Sequence, residues 1–217
     1  ANPDFLFDIE MDKILYGNNP RVVSLTEETL AKADLATIDR VYSELFKDAA
    51  GAVVTIVGNV NLETLKPMVE KYIGSLPKGK KAHAYVKENL IEIVKGNVAE
   101  TVKVPMQTPK STVFQVHSGY MPIDTKTEVT LEIANYVLDM IYTKTIREDE
   151  GGTYGVGTSM LAQKLPVERM IAQVYFNTNP ESVEKLSALA VKGLKELTEN
   201  GPSVEHFNMT MENFKKN

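Results

Sequence analysis

The spacing of apolar residues alternates between a helical period and a strand period along the chain. The first part of the chain predicts three helices, each opened by a polar cap at Ser24, Asp34 or Asn61. A continuous apolar run at residues 52–57 interrupts them and predicts a buried strand in the middle of a sheet. Pro67 lies too deep for a first helical turn, so the third helix is expected to begin near Lys66.

From residue 90 onward the period of the apolar residues becomes two, which is typical of half-buried strands. Residues 90–95 and 98–104 flank Gly96 and Asn97, and this arrangement predicts a two-residue hairpin. Three further strands are expected at residues 112–120, 153–163 and 170–177. A regular first strand of these three puts His117 on the face opposite Phe114, where one structural hydrogen bond is its expected role.

Three helices are predicted among and after these strands. The longest opens with a capping box, Thr125 to Glu128, and continues to Arg147. The next begins at Asn179 and Pro180, and the last begins at Ser203 and is still helical in character where the chain ends. The order of elements predicts an α+β fold of two layers, with a mixed, mostly antiparallel sheet and helices packed on one face.

The chain is expected to be one module of residues 1–217 with two sub-parts. Residues 76–87 are rich in lysine, contain Pro77 and Gly79, and lack a periodic apolar face, so they predict a solvated linker between residues 1–75 and 88–217. A basic contact surface is the alternative for this segment. Because the sequence ends inside a helical pattern, the module is expected to be an excised piece of a larger protein.

Composition excludes several classes of protein and site. The net charge of −5 argues against a nucleic acid or an anionic membrane surface as partner. No apolar run reaches the ~18–20 residues that span a membrane. The absence of cysteine excludes disulfides and thiolate metal sites, and leaves the compartment open.

The segment from residue 146 to residue 159 carries the clearest candidate chemistry. Arg147 ends the longest predicted helix, Gly151 and Gly152 follow three carboxylates, and Tyr154 opens the next strand. Adjacent glycines permit a tight reversal, which would bring the arginine near the tyrosine. A guanidinium and a phenol are both hydrogen-bond donors, and together they suit a carbonyl oxygen or the oxyanion that it becomes.

Simpler interpretations of the same residues stay open. Arg147 also suits the carbonyl end of a helix, or an ion pair with a neighbouring carboxylate, which contributes only ~0–1 kcal/mol when exposed. Tyr154 also suits ordinary packing at the start of a strand. A phosphate-binding loop is disfavoured, because that loop requires strand, glycine loop and helix in the opposite order.

The segment resembles the substrate-clamping region in the C-terminal half of the insulinase/pitrilysin family of zinc metallopeptidases. Its most specific match is Arg147 to Val156, with arginine and tyrosine on either side of the glycine pair. The resemblance, to the bacterial pitrilysin-like type, extends over nearly the whole chain. It includes residues 18–21, 57–60 with 65–67, and 75–77.

This resemblance implies both a fold and a function. The fold is that of the LuxS/mitochondrial-processing-peptidase-like metallohydrolases, and the full-length protein is expected to be a bacterial zinc metalloendopeptidase that hydrolyses peptides. Arg147 and Tyr154 would bind the substrate carbonyl opposite a zinc held by an N-terminal module of the same protein. Expected partners are therefore those modules and a peptide or unfolded polypeptide. The periplasm is favoured over the cytoplasm as the compartment.

The sequence lacks the zinc-binding motif that the family resemblance would imply for a complete enzyme. It has three histidines, His83, His117 and His206, and no His-x-x-Glu-His motif. We therefore expect this piece to bind neither metal nor cofactor and to be inactive alone. The alternative is a non-catalytic peptide-binding or structural partner of the same fold.

Overall fold

A computed structural model describes residues 2–46, 49–79 and 90–216. The chain groups into two compact units, one of Phe7–Glu100 and one of Ala1–Leu6 with Thr101–Asn217. The predicted linker falls largely on residues 80–89, including Lys80, Lys81, His83 and Lys87, which lie outside the described residues. The sequence-based division put residues 90–100 after that linker, whereas the structure groups them with the N-terminal unit.

The N-terminal part of the chain is helical over most of its described length. Its helices are α1 (Pro3–Leu15), α2 (Glu27–Ala31), α3 (Leu35–Phe46) and α4 (Leu62–Tyr72). Asp34 and Asn61 cap α3 and α4 as predicted, accepting the backbone N–H of Thr37 (2.8 Å) and of Glu63 (2.8 Å). The predicted cap at Ser24 is wrong, because the capping box is formed by Thr26 and Thr29 instead.

The expected start of α4 near Lys66 is also wrong. The helix begins at Leu62, and Pro67 lies inside it. The missing N–H of Pro67 removes one intrahelical hydrogen bond. The Asn61 side chain accepts two N–H groups of the first turn and helps to hold the helix in spite of that loss.

Two strand predictions in this part of the chain are not confirmed. Residues 52–57 and the expected hairpin at residues 90–104 show no strand pairing among the described residues. Val53 and Val57 are 90% and 92% exposed, so the apolar run is not buried as predicted. The amide of Val94 donates to the carbonyl of Leu15 (2.9 Å) at the end of α1. An apolar pattern indicates which side chains favour burial, but it does not supply the neighbour that completes a sheet.

The C-terminal unit contains a three-stranded antiparallel sheet. Its strands are β1 (Ser111–Tyr120), β2 (Val156–Gln163) and β3 (Arg169–Thr178), and β3 lies between the other two. Val174 on β3 pairs with Gln115 on β1 and with Thr158 on β2. The described strands are all antiparallel, so the predicted α+β class is confirmed with a simpler sheet than expected.

Helices α5 (Thr125–Tyr142), α6 (Val183–Asn200) and α7 (Val204–Lys216) complete this unit. The cap of α5 is Asp124, one residue before the predicted start of the capping box, and it accepts the backbone N–H (2.7 Å) and the hydroxyl (2.8 Å) of Thr127. A short 3-10 turn, Pro180–Ser182, leads into α6. Among the described residues, no helix combines the length and the low charge needed to cross a membrane.

One face of β3 and the inner faces of α5 and α6 form the hydrophobic core. The predicted apolar face of β3 is confirmed, since Ala172, Val174 and Phe176 are buried. The fully buried ring of Tyr142 on α5 donates its hydroxyl proton to the carbonyl of Ala190 on α6. The other buried members of this core are Leu138, Ile146 and Leu186. The core therefore fixes the end of α5, where the candidate chemistry begins.

Candidate functional site

The helix before the candidate site changes its winding at its end. After Tyr142 the chain continues as a π-helical turn, Thr143–Glu148, instead of the α-helix that was predicted up to Arg147. The amide of Asp149 donates to the carbonyl of Lys144 (2.9 Å), five residues earlier. Isolated π turns of this kind are frequent at functional sites. The periodicity of apolar residues gave no sign of this wider turn.

The π turn separates two neighbouring residues into opposite environments. Ile146 is fully buried in the core, whereas Arg147 is exposed to solvent. The apolar contacts of Ile146 hold the backbone of this turn in place. The guanidinium is therefore carried by a fixed backbone and extends from the protein surface.

The glycine pair makes the tight reversal that the sequence predicted. Gly151 has a φ angle of +61°, a conformation that side chains disfavour, and its amide donates to the carbonyl of Arg147 (3.1 Å). Gly152 packs closely against the buried Leu186 of α6, and a Cβ atom built on it would lie 2.8 Å from Leu186 Cδ1. Gly151 is therefore required by its positive φ angle, and Gly152 is required because a side chain there would clash with Leu186.

Tyr154 lies on the far side of this reversal, two residues before β2. Its side chain is fully exposed, so the interpretation of Tyr154 as ordinary packing is not supported. The hydroxyl of Thr153 donates to the carbonyl of Gly155 (2.9 Å) and accepts the amide of Gly155 (3.2 Å). This compact local turn orders the backbone around Tyr154 while leaving the phenol in solvent.

Two of the three carboxylates beside the arginine have other partners. Asp149 pairs with Lys144 (3.1 Å), and Glu150 pairs with Lys185 of α6. Within the part of the chain that the structure describes, the Arg147 guanidinium has no ion pair or side-chain hydrogen bond. Both donors of the predicted site, Arg147 and Tyr154, are thus exposed and uncommitted, on the two sides of one turn.

The described residues do not form a metal site. Across residues 2–46, 49–79 and 90–216 there is no group of three histidine, aspartate or glutamate side chains placed to hold an ion. His117 pairs in register with Ala172 on β3, and His206 lies in the first turn of α7, so the two belong to separate elements. His83 lies outside the described residues. The donors among the described residues therefore do not fit a zinc site.

A comparison with protein-family models places the chain. The model described as "Peptidase M16 inactive domain" matches residues 32–214, which is most of the sequence. The chain belongs to this family. The inactive M16 domain is the C-terminal module of insulinase-family peptidases, so the resemblance seen in the sequence is confirmed. A search of curated proteins finds no match.

Three solved structures share the fold of this M16 domain over 99% of its length. The periplasmic protease PqqL from Escherichia coli is similar with a TM-score of 0.83 and 24% identity. A peptidase M16 inactive domain from Pseudomonas fluorescens gives 0.72 and 18%. A variant of the ferredoxin protease FusC, solved with Arabidopsis ferredoxin, gives 0.71 and 17%. The α+β fold of insulinase-family C-terminal modules is therefore confirmed.

The chain spans only part of each of these proteins. It covers 23% of PqqL, 23% of FusC and 51% of the Pseudomonas fluorescens chain. The match therefore describes a peptidase-related module that corresponds to one part of each of these longer proteins.

Sequence reasoning missed the residues that hold the turn in place. These are Thr178 at the end of β3, with Lys185 and Leu186 on α6. Each of these residues lies in an element that is remote in sequence from the turn. The sequence pattern predicts for each only a place in a strand or a helix, with no contact to the turn. The local turn of Thr153 and Gly155 carried a detectable signal, a threonine two residues before a glycine.

Proposed function

We propose that this chain is the distal substrate-holding module of a zinc-dependent endopeptidase that hydrolyses peptides. Arg147 and Tyr154 would donate hydrogen bonds to the substrate carbonyl and to the oxyanion that it becomes. The zinc and the general base would belong to an N-terminal module of the same protein and would there supply the activation of the attacking water. The substrate would be a peptide or an unfolded polypeptide.

One observation carries this proposal above the alternatives from the sequence. In a turn where two carboxylates are paired with lysines, the Arg147 guanidinium has no partner among the described residues, and the Tyr154 phenol on the far side of the turn is fully exposed. A structural arginine would gain from pairing with Asp149 or Glu150, and a structural tyrosine would bury its ring. A guanidinium and a phenol that have no partner in the protein, on a backbone that is held in place, are suited to donate hydrogen bonds to the negative charge that develops on a bound substrate.

The test uses the full-length parent protein and an internally quenched peptide. Tyr154→Phe is expected to lower kcat/KM by about a hundredfold to a thousandfold, because loss of one oriented oxyanion donor costs about 2.7–4 kcal/mol. Arg147→Lys is expected to lower it as well, since lysine keeps the charge but loses the planar fork. Circular dichroism should show the wild-type fold in both variants.

Two matched variants control for nonspecific effects. Tyr72→Phe changes an exposed tyrosine at the end of α4, and Arg40→Lys changes an arginine of α3 that pairs with Glu44 (3.2 Å). Both should retain wild-type turnover. An unchanged kcat/KM in Tyr154→Phe would remove this residue from the mechanism.

The second candidate is a non-catalytic peptide-binding or structural partner, and the family description "inactive domain" keeps it in consideration. The parent sequence upstream of this module distinguishes the two functions. A His-x-x-Glu-His motif there supports the peptidase. Its absence, together with peptide binding that the wild-type parent does not follow by cleavage, supports the partner.

The cellular location is proposed on narrower grounds. We propose a periplasmic parent protein, because PqqL, which shares this fold, is a periplasmic protease. Cell fractionation of the source organism with an antibody against the module would test this proposal. Recovery of the parent protein in the cytoplasmic fraction alone would contradict it.

A further inference from the structure

The turn that carries Tyr154 is tied to the sheet by one buried side chain. Thr178, the last residue of β3, is only 6% exposed, and its hydroxyl donates to the carbonyl of Gly152 (2.6 Å). Thr178 also pairs in register with Ser111 of β1, so its own backbone is held within the sheet. The hydroxyl therefore links a rigid element to a short loop that has little other support.

The remaining contacts of the loop are either internal or weak. The hydrogen bonds of Thr153 and Gly155 are made with each other and do not fix the loop relative to the sheet. The ion pair of Glu150 with Lys185 is largely exposed on the lysine side, and such exposed pairs contribute little to stability. Leu186 limits how closely Gly152 can approach α6 but supplies no directional bond. The amide of Gly151 ties the start of the loop to the carbonyl of Arg147 (3.1 Å), whereas among the described residues the Thr178 hydroxyl is the side-chain group that bonds the loop to the sheet.

We infer that Thr178 is a positioning residue for substrate binding, acting through Gly152 to fix the place from which Tyr154 presents its phenol. The inference rests on the proposed function of Tyr154. Tyr154 is two residues after the anchored carbonyl, so a shift of Gly152 moves the backbone of the tyrosine by a similar amount. Misplacement of a reacting contact by about 1 Å can cost about a hundredfold in rate.

The sheet itself offers a matched control. The hydroxyl of Thr158 on β2 is buried under the same face of the sheet and has no hydrogen-bond partner among the described residues. Thr158→Val therefore makes the same chemical change as Thr178→Val without breaking a bond to the turn. A difference between the two variants measures the anchor itself.

The experiment uses the full-length parent protein and an internally quenched peptide. Thr178→Val is expected to lower kcat/KM by about tenfold to a hundredfold. Thr178→Ser, which restores the hydroxyl, should recover most of the activity, and Thr158→Val should stay within twofold of wild type. If Thr178→Val does not fold, Thr178→Ala takes its place, since alanine removes the hydroxyl without introducing a second methyl group beside the turn.

A double-variant comparison separates positioning from general damage. In the background of Tyr154→Phe, Thr178→Val should cost less than a further twofold, because its effect acts through the phenol. Full additivity of the two losses would overturn the inference. So would wild-type activity of Thr178→Val in the parent protein.

Hydrogen exchange distinguishes failure of this inference from failure of the proposed function. Amide exchange at residues 151–155 should quicken in Thr178→Val and stay unchanged in Thr158→Val. If Tyr154→Phe keeps full activity while exchange quickens in Thr178→Val, the anchor stands and the proposed function fails. Unchanged exchange in Thr178→Val overturns the anchor whatever the activity of the other variants.

Discussion

Tyr142 shows how a single residue couples the core to the candidate site. Its ring is fully buried between α5 and α6, its hydroxyl donates to Ala190, and the π turn that carries Arg147 begins at the next residue. Burial raises the pKa of the Tyr142 phenol well above its ordinary value of 10.0. The core at the base of the site therefore depends on a phenol that stays protonated.

The raised pKa predicts a loss of stability at alkaline pH. In the unfolded chain Tyr142 ionises near pH 10, whereas the folded protein keeps it neutral, so ionisation favours the unfolded state above that pH. The stability is fully present below pH 10 and is lost as pH rises toward the folded pKa, by about 1.4 kcal/mol per pH unit. Urea unfolding between pH 8 and about pH 11 measures this slope.

The variant Tyr142→Phe should lower the free energy of unfolding at neutral pH by about 1 kcal/mol, because one buried hydrogen bond is lost. It should also flatten the alkaline slope. Tyr154→Phe is the control, since it makes the same chemical change on a fully exposed ring outside the core. A wild-type slope in Tyr142→Phe would show that another group governs the alkaline transition.

Gly193 on α6 gives a second prediction at this scale, because two effects of opposite sign compete there. Alanine is favoured over glycine inside a helix by about 1 kcal/mol. A Cβ atom at Gly193, however, would lie 2.5 Å from Cε1 of the buried Tyr142 ring, and overpacking of a core costs about 1–3 kcal/mol. Gly193→Ala should therefore destabilise the protein in thermal unfolding.

The control for Gly193→Ala is Gly58→Ala. A Cβ atom at Gly58 would meet nothing within 4 Å, and the φ angle of this residue is not positive. Thermal unfolding of Gly58→Ala should match the wild type. Stabilisation by Gly193→Ala would mean that the ring of Tyr142 moves aside at little cost.

Among the elements, the start of α5 is set by a single carboxylate. The Asp124 carboxylate accepts hydrogen bonds from the backbone N–H and from the hydroxyl of Thr127. Both bonds lower the pKa of this carboxyl group, and the bond from the backbone N–H has the larger effect. The lowered pKa means that the cap contributes stability above the unfolded pKa, near 3.8. That contribution is lost as pH falls through the folded value.

Asp124→Asn should flatten the dependence of stability on pH below about pH 4, because asparagine caps a helix without titrating. Thermal unfolding at pH 7 and pH 3 gives the comparison. Asp139→Asn on the same helix is the control, since the Asp139 side chain makes no hydrogen bond within the described residues. An acid response of Asp124→Asn identical to the wild type would assign the acid sensitivity to other carboxylates.

The sequence predicted well those elements that have a regular spacing of apolar residues and that pack against an element nearby in the chain. The strands β1 and β3, and the helices α5, α6 and α7, match their periodic runs to within a few residues. The buried face of β3 also follows the alternation of Ala172, Val174 and Phe176. In each case the apolar stripe specifies the face that packs, and the neighbouring element supplies the surface that receives it.

Other elements were not predictable, for separate physical reasons. Residues 52–57 are as apolar as a buried strand, yet Val53 and Val57 are exposed, because pairing depends on a neighbour that the run does not encode. The caps of α2 and α5 differ by one or two residues because several hydroxyl and carboxyl groups compete for the same N–H groups. The π turn at Thr143–Glu148 changes hydrogen bonding without changing the apolar spacing.

For the candidate site, sequence predicted the tight turn and left the roles of its side chains open. The double glycine indicated the reversal, and the structure shows Arg147 and Tyr154 exposed on its two sides. The contribution of Thr178 was hidden, because a threonine ending a strand is ordinary until the fold places its hydroxyl against Gly152. The proposed role of Arg147 and Tyr154 in substrate binding stays a prediction.

At the scale of the whole molecule, the proposed function divides the chemistry between modules. This chain presents hydrogen-bond donors at one turn, and its described residues have no cluster of metal ligands. The proteases of the same fold are about four times longer, since the chain covers 23% of each. A division of labour follows from the proposed function, with substrate contact here and metal chemistry elsewhere.

This division predicts the behaviour of the separated parts. The 217-residue chain alone, with zinc added, should neither cleave an internally quenched peptide nor take up one zinc per molecule in isothermal titration calorimetry. Mixed with the upstream modules of its parent, it should restore cleavage, whereas the same mixture prepared with Tyr154→Phe should restore far less. The difference isolates the substrate contact, because both mixtures contain the same metal site. Tight zinc binding and cleavage by the chain alone would place the catalytic centre within these residues, and the proposal of a distal module would then be wrong.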